Sequence, residues 1–101
     1  MNEKNNEEIN KLLKELERYP EDRQRIMNLA KKYSEKNDLD NALEYGMKAL
    51  NIMNDGGDTV FVAELWKKKQ RRDKANEILL KAHEKFPRHA SVLYNLTWIA
   101  Q

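Results

Sequence analysis

The sequence predicts an all-α fold built from repeated helix hairpins, and three observations support this prediction. Hydrophobic residues make up 40% and charged residues 36% of the 101 residues, with three Gly and two Pro, which is typical of helix-rich chains. Apolar and small residues recur at spacings of three and four, the period of a helix with one buried face. Segments 22–55 and 55–88 align at an offset of 33 with eight identities, whereas chance gives roughly two.

The chain is long enough for one domain, which we expect to span residues 1–101 and to begin with a single helix within residues 1–19. That helix has an apolar stripe along 6–18 made of Ile9, Leu12, Leu13 and Leu16. Pro20 follows, and proline cannot donate the next hydrogen bond of a helix. The break predicts that a new element starts there.

Residues 20–54 are predicted to form the first hairpin. The stripe of its first helix is Ile26, Leu29, Ala30 and Tyr33, and that of its second helix, from Leu39 to Met53, is Ala42, Leu43, Gly46, Ala49 and Leu50. Lys36, Asn37 and Asp38 form the predicted turn. Asn37 is the expected left-handed residue, because asparagine tolerates positive φ at the end of a helix.

Residues 55–88 are predicted to form the second hairpin. Its stripes are Val62, Ala63 and Trp66 in the first helix and Ala75, Ile78, Leu79 and Ala82 in the second. It stops at Phe86 and Pro87. Residues 54–58, with the sequence NDGGD, are predicted to be a linker turn because they supply flexible backbone and helix-capping oxygens. A metal-binding loop is the alternative, although the ligand spacing of a calcium loop is missing.

Residues 89–101 are predicted to be a terminal helix or half-repeat whose apolar side chains surround the helix. Leu93, Leu96 and Ala100 would face a second helix, but the sequence stops at Gln101, and Trp98 is expected to join them in self-association. Exposed residues of this kind predict self-association through that surface. Continuation of the protein beyond Gln101, or a helix bent back onto its own chain, would cover the same surface.

The repeated pattern resembles that of the tetratricopeptide repeat family, whose W-x2-L-G-x2-Y…A-x3-F…P motif recurs at about 34 residues. The first unit matches at Ile26, Leu29, Ala30, Tyr33, Ala42, Gly46 and Ala49, with Asn54 in place of the usual proline. The second matches at Thr59, Val62, Ala63, Trp66, Ala75, Leu79, Ala82 and Pro87. The resemblance implies a right-handed α-solenoid with about two full repeats flanked by single helices.

The resemblance also implies a non-catalytic scaffold that binds a peptide or a partner helix in a concave groove lined by the first helices of the units. The groove residues would be Met27, Lys31, Val60, Glu64, Lys67, Lys68, Tyr94 and Trp98. The alternative is that these side chains only complete the packing of a small solenoid. A designed or truncated structural module with no ligand beyond itself is a second alternative.

The sequence contains none of the common catalytic or phosphate-binding motifs, and we expect neither enzymatic activity nor a cofactor. His83 and His89 are six residues apart across Pro87 and are expected to be surface residues. Six cations lie within residues 67–74, which leaves a basic nucleic-acid-binding adaptor as a third alternative, although nucleic acid is a less expected partner than protein. With no cysteine, signal peptide or membrane-spanning run, we expect a soluble, cytoplasmic protein.

Overall fold

A computed structural model describes residues 2–53, 56–90 and 92, and within these ranges the chain forms five α-helices and no strand. The helices are α1 (Asn2–Arg18), α2 (Arg23–Glu35), α3 (Leu39–Ile52), α4 (Gly56–Lys68) and α5 (Arg72–Lys85). The all-α prediction is therefore confirmed. None of these five helices has the length and apolar character needed to cross a bilayer. The chain divides into two compact units, 1–53 and 54–101, which are described in turn.

In the first unit, α2 lies between α1 and α3 and packs against both. The buried residues include Ile26, Leu29 and Ala30 on α2 and Ala42, Leu43 and Ala49 on α3. Ile9 is the buried apolar residue of α1, with only 5% of its surface exposed. Each side chain of this size contributes about 1.5–3 kcal/mol when it is removed from water. Most residues of the stripes predicted for α2 and α3 belong to this core, whereas Leu12, Leu13, Leu16, Tyr33 and Leu50 are only partly buried.

In the second unit, α4 packs against α5. The buried residues are Gly56, Thr59, Val62, Ala63, Leu65, Ala75, Ile78, Leu79 and Ala82, together with Val92 beyond α5. The three alanines among them are fully buried, which allows the two helix backbones to approach closely. Unlike α2, α4 has one packing partner among the described helices of its unit.

The two hairpins correspond position by position at an offset of 33. Both ends of α4 lie at this offset from those of α2, and the same holds for α5 and α3. Asn37 has φ 62° and Gln70 has φ 63°, so each turn contains a left-handed residue at the same place. The next backbone N–H, of Asp38 or Arg71, donates to the carbonyl five residues earlier at 2.9 Å in both cases. This is the Schellman arrangement, and it confirms the predicted conformation of Asn37.

The predicted linker turn at residues 54–58 is wrong for Gly56, Gly57 and Asp58, which form the first turn of α4. Gly56 is buried, and a Cβ atom at this position would lie 2.5 Å from Cδ2 of His89. A side chain there would force the imidazole ring to move. Gly56 therefore permits close packing inside the second unit, whereas the sequence argument assigned it to backbone flexibility. Residues 54 and 55 lie outside the described residues.

Candidate binding surfaces

The predicted groove residues of the first helices differ in exposure. Lys31 on α2 and Glu64 and Lys68 on α4 are exposed, whereas Val60 and Lys67 on α4 are partly exposed. Tyr94 and Trp98, and the predicted self-association residues Leu93, Leu96 and Ala100, lie outside the described residues. We call Lys31, Val60, Glu64, Lys67 and Lys68 the first-helix residues.

Met27 is only 1% exposed and belongs to the core, so its assignment to a ligand-binding surface is corrected. The physical reason is that α2 packs against helices on two sides and buries a wider arc than one apolar stripe. Val60, which occupies the equivalent position of α4, remains partly exposed. The pattern of one helix could not distinguish these two positions, because burial depends on how many neighbours the helix has.

A shallow charged depression of about 490 Å³ lies between α1 and α2. It is lined by Glu8, Lys11, Leu12, Glu15, Asn28, Lys31, Lys32 and Glu35. Lys32 Nζ lies 2.5 Å from Glu8 Oε2 on α1 and 3.6 Å from Glu35 Oε2 on its own helix. The hydrogen bond to Glu8 raises the pKa of Lys32. The depression thus contains groups that already neutralise one another, and ion pairs join the two helices.

Arg25 extends this set of ion pairs towards the beginning of α2. Its Nε donates to Glu15 Oε2 at 2.6 Å, and its Nη1 donates to Asp22 Oδ2. These bonds, the one to Glu15 first, raise the pKa of Arg25. The guanidinium carbon also lies 5.1 Å from the centre of the Tyr19 ring, a cation–π distance. Arg25, which lies on α2, therefore contacts both α1 and the turn between the two helices.

A second depression, of about 660 Å³, is formed around the Tyr19–Pro20 turn and was not predicted. Its lining consists of Arg18, Tyr19, Pro20, Glu21, Asp22 and Lys48. Asp22 is the N-cap of α2, and its Oδ1 accepts the backbone N–H of Arg25 at 3.1 Å. That hydrogen bond is the main cause that lowers the pKa of Asp22. Half of the Tyr19 surface remains exposed above this turn.

The sequence of this turn, an aromatic residue, a proline, any residue and a helix-capping residue, occurs again at Phe86, Pro87, Arg88 and His89. This recurrence is the signal from which the turn could have been predicted. In both turns the fourth residue donates its backbone N–H to the carbonyl of the aromatic residue, at 3.1 Å. His89 Nδ1 accepts the backbone N–H of Val92 at 3.4 Å, as Asp22 does for Arg25. His89 thus stands in the position of a helix N-cap.

The two histidines are partly buried, so the prediction that they are simple surface residues is corrected. Nδ1 of His83 is buried and has no hydrogen-bond partner among the described residues, and the same is true of Nε1 of Trp66. Within the described part of the chain, no three His, Asp or Glu residues cluster closely enough to hold a metal ion.

The cationic run is exposed at the turn between α4 and α5. Lys68, Lys69, Arg71 and Arg72 are all exposed. Arg71 donates from Nε and Nη2 to the two carboxylate oxygens of Asp73, each at 3.1 Å. This bidentate pair raises the pKa of Arg71 and lowers that of Asp73. One carboxylate therefore lies among the cations of this turn.

These features define the class of the molecule as a protein of helix hairpins with charged surfaces. Comparison with protein-family models finds no match for the chain, and comparison with curated proteins finds none either. Its function is therefore argued from its own residues.

Proposed function

We propose that the chain is a non-catalytic protein-interaction scaffold of the tetratricopeptide type, in which helix hairpins stack into a right-handed α-solenoid. The observation that carries this proposal is the correspondence of α2–α3 with α4–α5 at a constant offset, which includes the turn hydrogen bonds. Hairpins that share their lengths, their turn and their buried alanines are suited to stacking as repeated units. Stacked hairpins of this kind present an extended surface on which a peptide or a helix can bind.

The partner we propose is a peptide or a helix held by the first-helix residues, with Tyr94 and Trp98 as further contacts. Lys31 and Glu64 occupy equivalent positions of α2 and α4, and both are exposed. Opposite charges at equivalent positions would orient a ligand along the stack, because one end would prefer an acidic residue and the other a basic one. The partly exposed Val60 supplies an apolar contact.

The test is a binding experiment with two double variants that keep the net charge unchanged. Peptides are first selected from a displayed library on the wild-type protein, and their affinities are then measured by fluorescence anisotropy. Lys31→Glu combined with Glu64→Lys exchanges the charges on the first helices. The matched control exchanges two exposed charges on the second helices, Glu44→Lys on α3 and Lys81→Glu on α5.

We expect the first-helix variant to bind at least tenfold more weakly, a loss of about 1.4 kcal/mol, while the second-helix variant binds like the wild type. Equal binding by both variants would contradict the proposed surface. Failure to enrich any peptide would favour a structural module whose only interactions are with itself. Circular dichroism of all three proteins checks that the exchanges leave the helices intact.

The proposal includes self-association through Leu93, Leu96, Trp98 and Ala100. Multi-angle light scattering of the wild type and of Leu96→Glu measures this directly. We expect a mass above that of one chain for the wild type and a shift towards the monomer for the variant, because a carboxylate in an apolar interface is costly to desolvate. A wild-type protein that is monomeric at micromolar concentration would reject this part of the proposal.

A further inference from the structure

Two turns with the same backbone carry opposite charges. We call residues 34–41 the acidic turn and residues 67–74 the basic turn. The acidic turn has Glu35, Asp38 and Asp40 against Lys36, a net charge of −2, whereas the basic turn has six cations against Asp73, a net charge of +5. Their turn hydrogen bonds are the same at an offset of 33. Because the acidic turn adopts this conformation without a cationic cluster, the cations are not required to form it.

The basic turn lacks a stabilising contact that the acidic turn has. Asp38 is the N-cap of α3, and its side chain accepts the backbone N–H of Asn41. Arg71 occupies the equivalent position before α5 and makes no side-chain cap hydrogen bond. Arginine cannot accept a hydrogen bond, and its charge lies at the positive end of the helix dipole. Arg71 is thus an unfavourable residue for folding at this position.

The bidentate contact of Arg71 with Asp73 offsets only part of this cost. It neutralises one guanidinium, and a second ion pair places Lys74 Nζ 3.9 Å from Glu77 Oε2. Exposed ion pairs, however, contribute little to stability. Lys68, Lys69 and Arg72 add three more exposed cations within the same turn, where like charges repel. Residues that weaken folding and are exposed are frequently those that bind a partner.

We infer that the basic turn is a docking site for an acidic polypeptide segment of another protein. Its net charge of +5 complements a run of glutamate and aspartate residues and would accelerate their association. A polypeptide is favoured over nucleic acid because Phe61, Trp66 and Phe86 are all partly buried, so no described aromatic ring of the second unit is fully exposed for base stacking.

This inference rests on the proposed function in so far as the partner is a protein, but it assigns a surface centred on Lys69, Arg71 and Arg72, which overlaps the first-helix residues only at Lys67 and Lys68. A peptide held by the first-helix residues would be lost when Lys31 and Glu64 exchange charges. An acidic segment on the basic turn would still bind to that double variant. The two ideas can therefore fail separately.

The experiment measures binding of a fluorescein-labelled dodecapeptide of alternating glutamate and serine by anisotropy at low ionic strength. Arg71→Asp places a carboxylate at the N-cap position, where the acidic turn has Asp38, and lowers the net charge of the basic turn by two. Lys81→Glu makes the same change of charge on α5, ten residues and about 15 Å away along the helix, beyond the screening length of about 8 Å at physiological salt. Lys69→Glu is a second variant in the turn that leaves the cap position and the first-helix residues unchanged.

We expect Arg71→Asp to weaken binding at least tenfold and to raise the melting temperature at the same time. Lys69→Glu should weaken binding as well, whereas Lys81→Glu should bind within twofold of the wild type. Opposite changes in stability and affinity in one variant are not expected of a residue with only a structural role. Binding should also fall steeply as salt is added.

Several results would overturn the inference. One is a wild-type protein that does not bind the acidic dodecapeptide, and another is an affinity that Arg71→Asp leaves unchanged. A lower melting temperature for Arg71→Asp would refute the argument that Arg71 opposes folding. Tighter binding of a twelve-nucleotide single-stranded oligothymidylate than of the dodecapeptide would assign the basic turn to nucleic acid.

Discussion

Replacement of Gln70 by glycine should stabilise the protein, because Gln70 has a left-handed backbone. Its φ of 63° costs an L-residue about 1–2 kcal/mol relative to the right-handed region. Glycine adopts this conformation without that penalty, but it loses about 0.5–1 kcal/mol more conformational entropy on folding. The difference predicts a net gain of about 0.5–1 kcal/mol for Gln70→Gly. For a domain of this size such a gain corresponds to a rise of about 2–8 °C in melting temperature.

The matched control is Asn37→Gly, at the equivalent position of the first hairpin. Asn37 has nearly the same φ, 62°, but the short polar side chain of asparagine tolerates the left-handed region. We therefore expect this variant to be neutral or destabilised by up to about 0.5–1 kcal/mol, because the entropy cost of glycine is not offset by the relief of a left-handed penalty. Urea unfolding followed by far-UV circular dichroism measures both, with unchanged m-values as evidence that the unfolded state is the same. Equal effects of the two substitutions, or destabilisation by Gln70→Gly, would refute the reasoning.

Three further predictions concern helix ends. Asp38→Ala should destabilise the protein by about 1 kcal/mol in urea unfolding, because the cap of α3 is lost; Asp38→Asn, which keeps the acceptor, is the control. Gly56→Ala should lower the melting temperature, since its Cβ would meet His89, whereas Gly57→Ala should not, because Gly57 is exposed. The pKa of Asp22 is lowered in the folded state, so its contribution is present above about pH 4 and lost as the pH falls through the folded-state value. Urea midpoints at neutral pH and below pH 4 should therefore differ less for Asp22→Asn than for the wild type.

The helices could be predicted from the sequence, because they depend on the local spacing of apolar residues, which a single sequence contains. Stripes at spacings of three and four identified the helices, and Asn37 identified the first turn. Gln70 was missed, since glutamine has no special preference for positive φ and only its offset of 33 from Asn37 pointed to it. Gly56 was assigned to a linker because glycine pairs are common in turns, and its packing against His89 is a tertiary contact without a local signal.

The candidate surfaces were less predictable, because exposure depends on the neighbours of each helix. Met27 and Val60 occupy equivalent positions, yet one is buried and the other partly exposed. The ion pairs of Lys32 with Glu8 and of Arg25 with Glu15 join two consecutive helices across a turn, so the spacing rules that hold within one helix could not pair them. The cluster of cations in residues 67–74 was visible in the sequence. That these cations are not needed to form the turn became clear only from the comparison of two turns with the same hydrogen bonds.

The two hairpins have buried alanines at equivalent positions but differ in the larger residues beside them. The fully buried alanines at equivalent positions are Ala30, Ala42 and Ala49 in one hairpin and Ala63, Ala75 and Ala82 in the other. Beside them, buried Gly46 is replaced by buried Leu79, and partly buried Tyr45 by buried Ile78. In the first hairpin Tyr45 stacks on Tyr33 with ring centres 5.7 Å apart, so an aromatic pair accompanies the smallest residue. Because different combinations of side chains with a similar total volume can fill a core, the small residues define the approach of the helices while the larger ones differ.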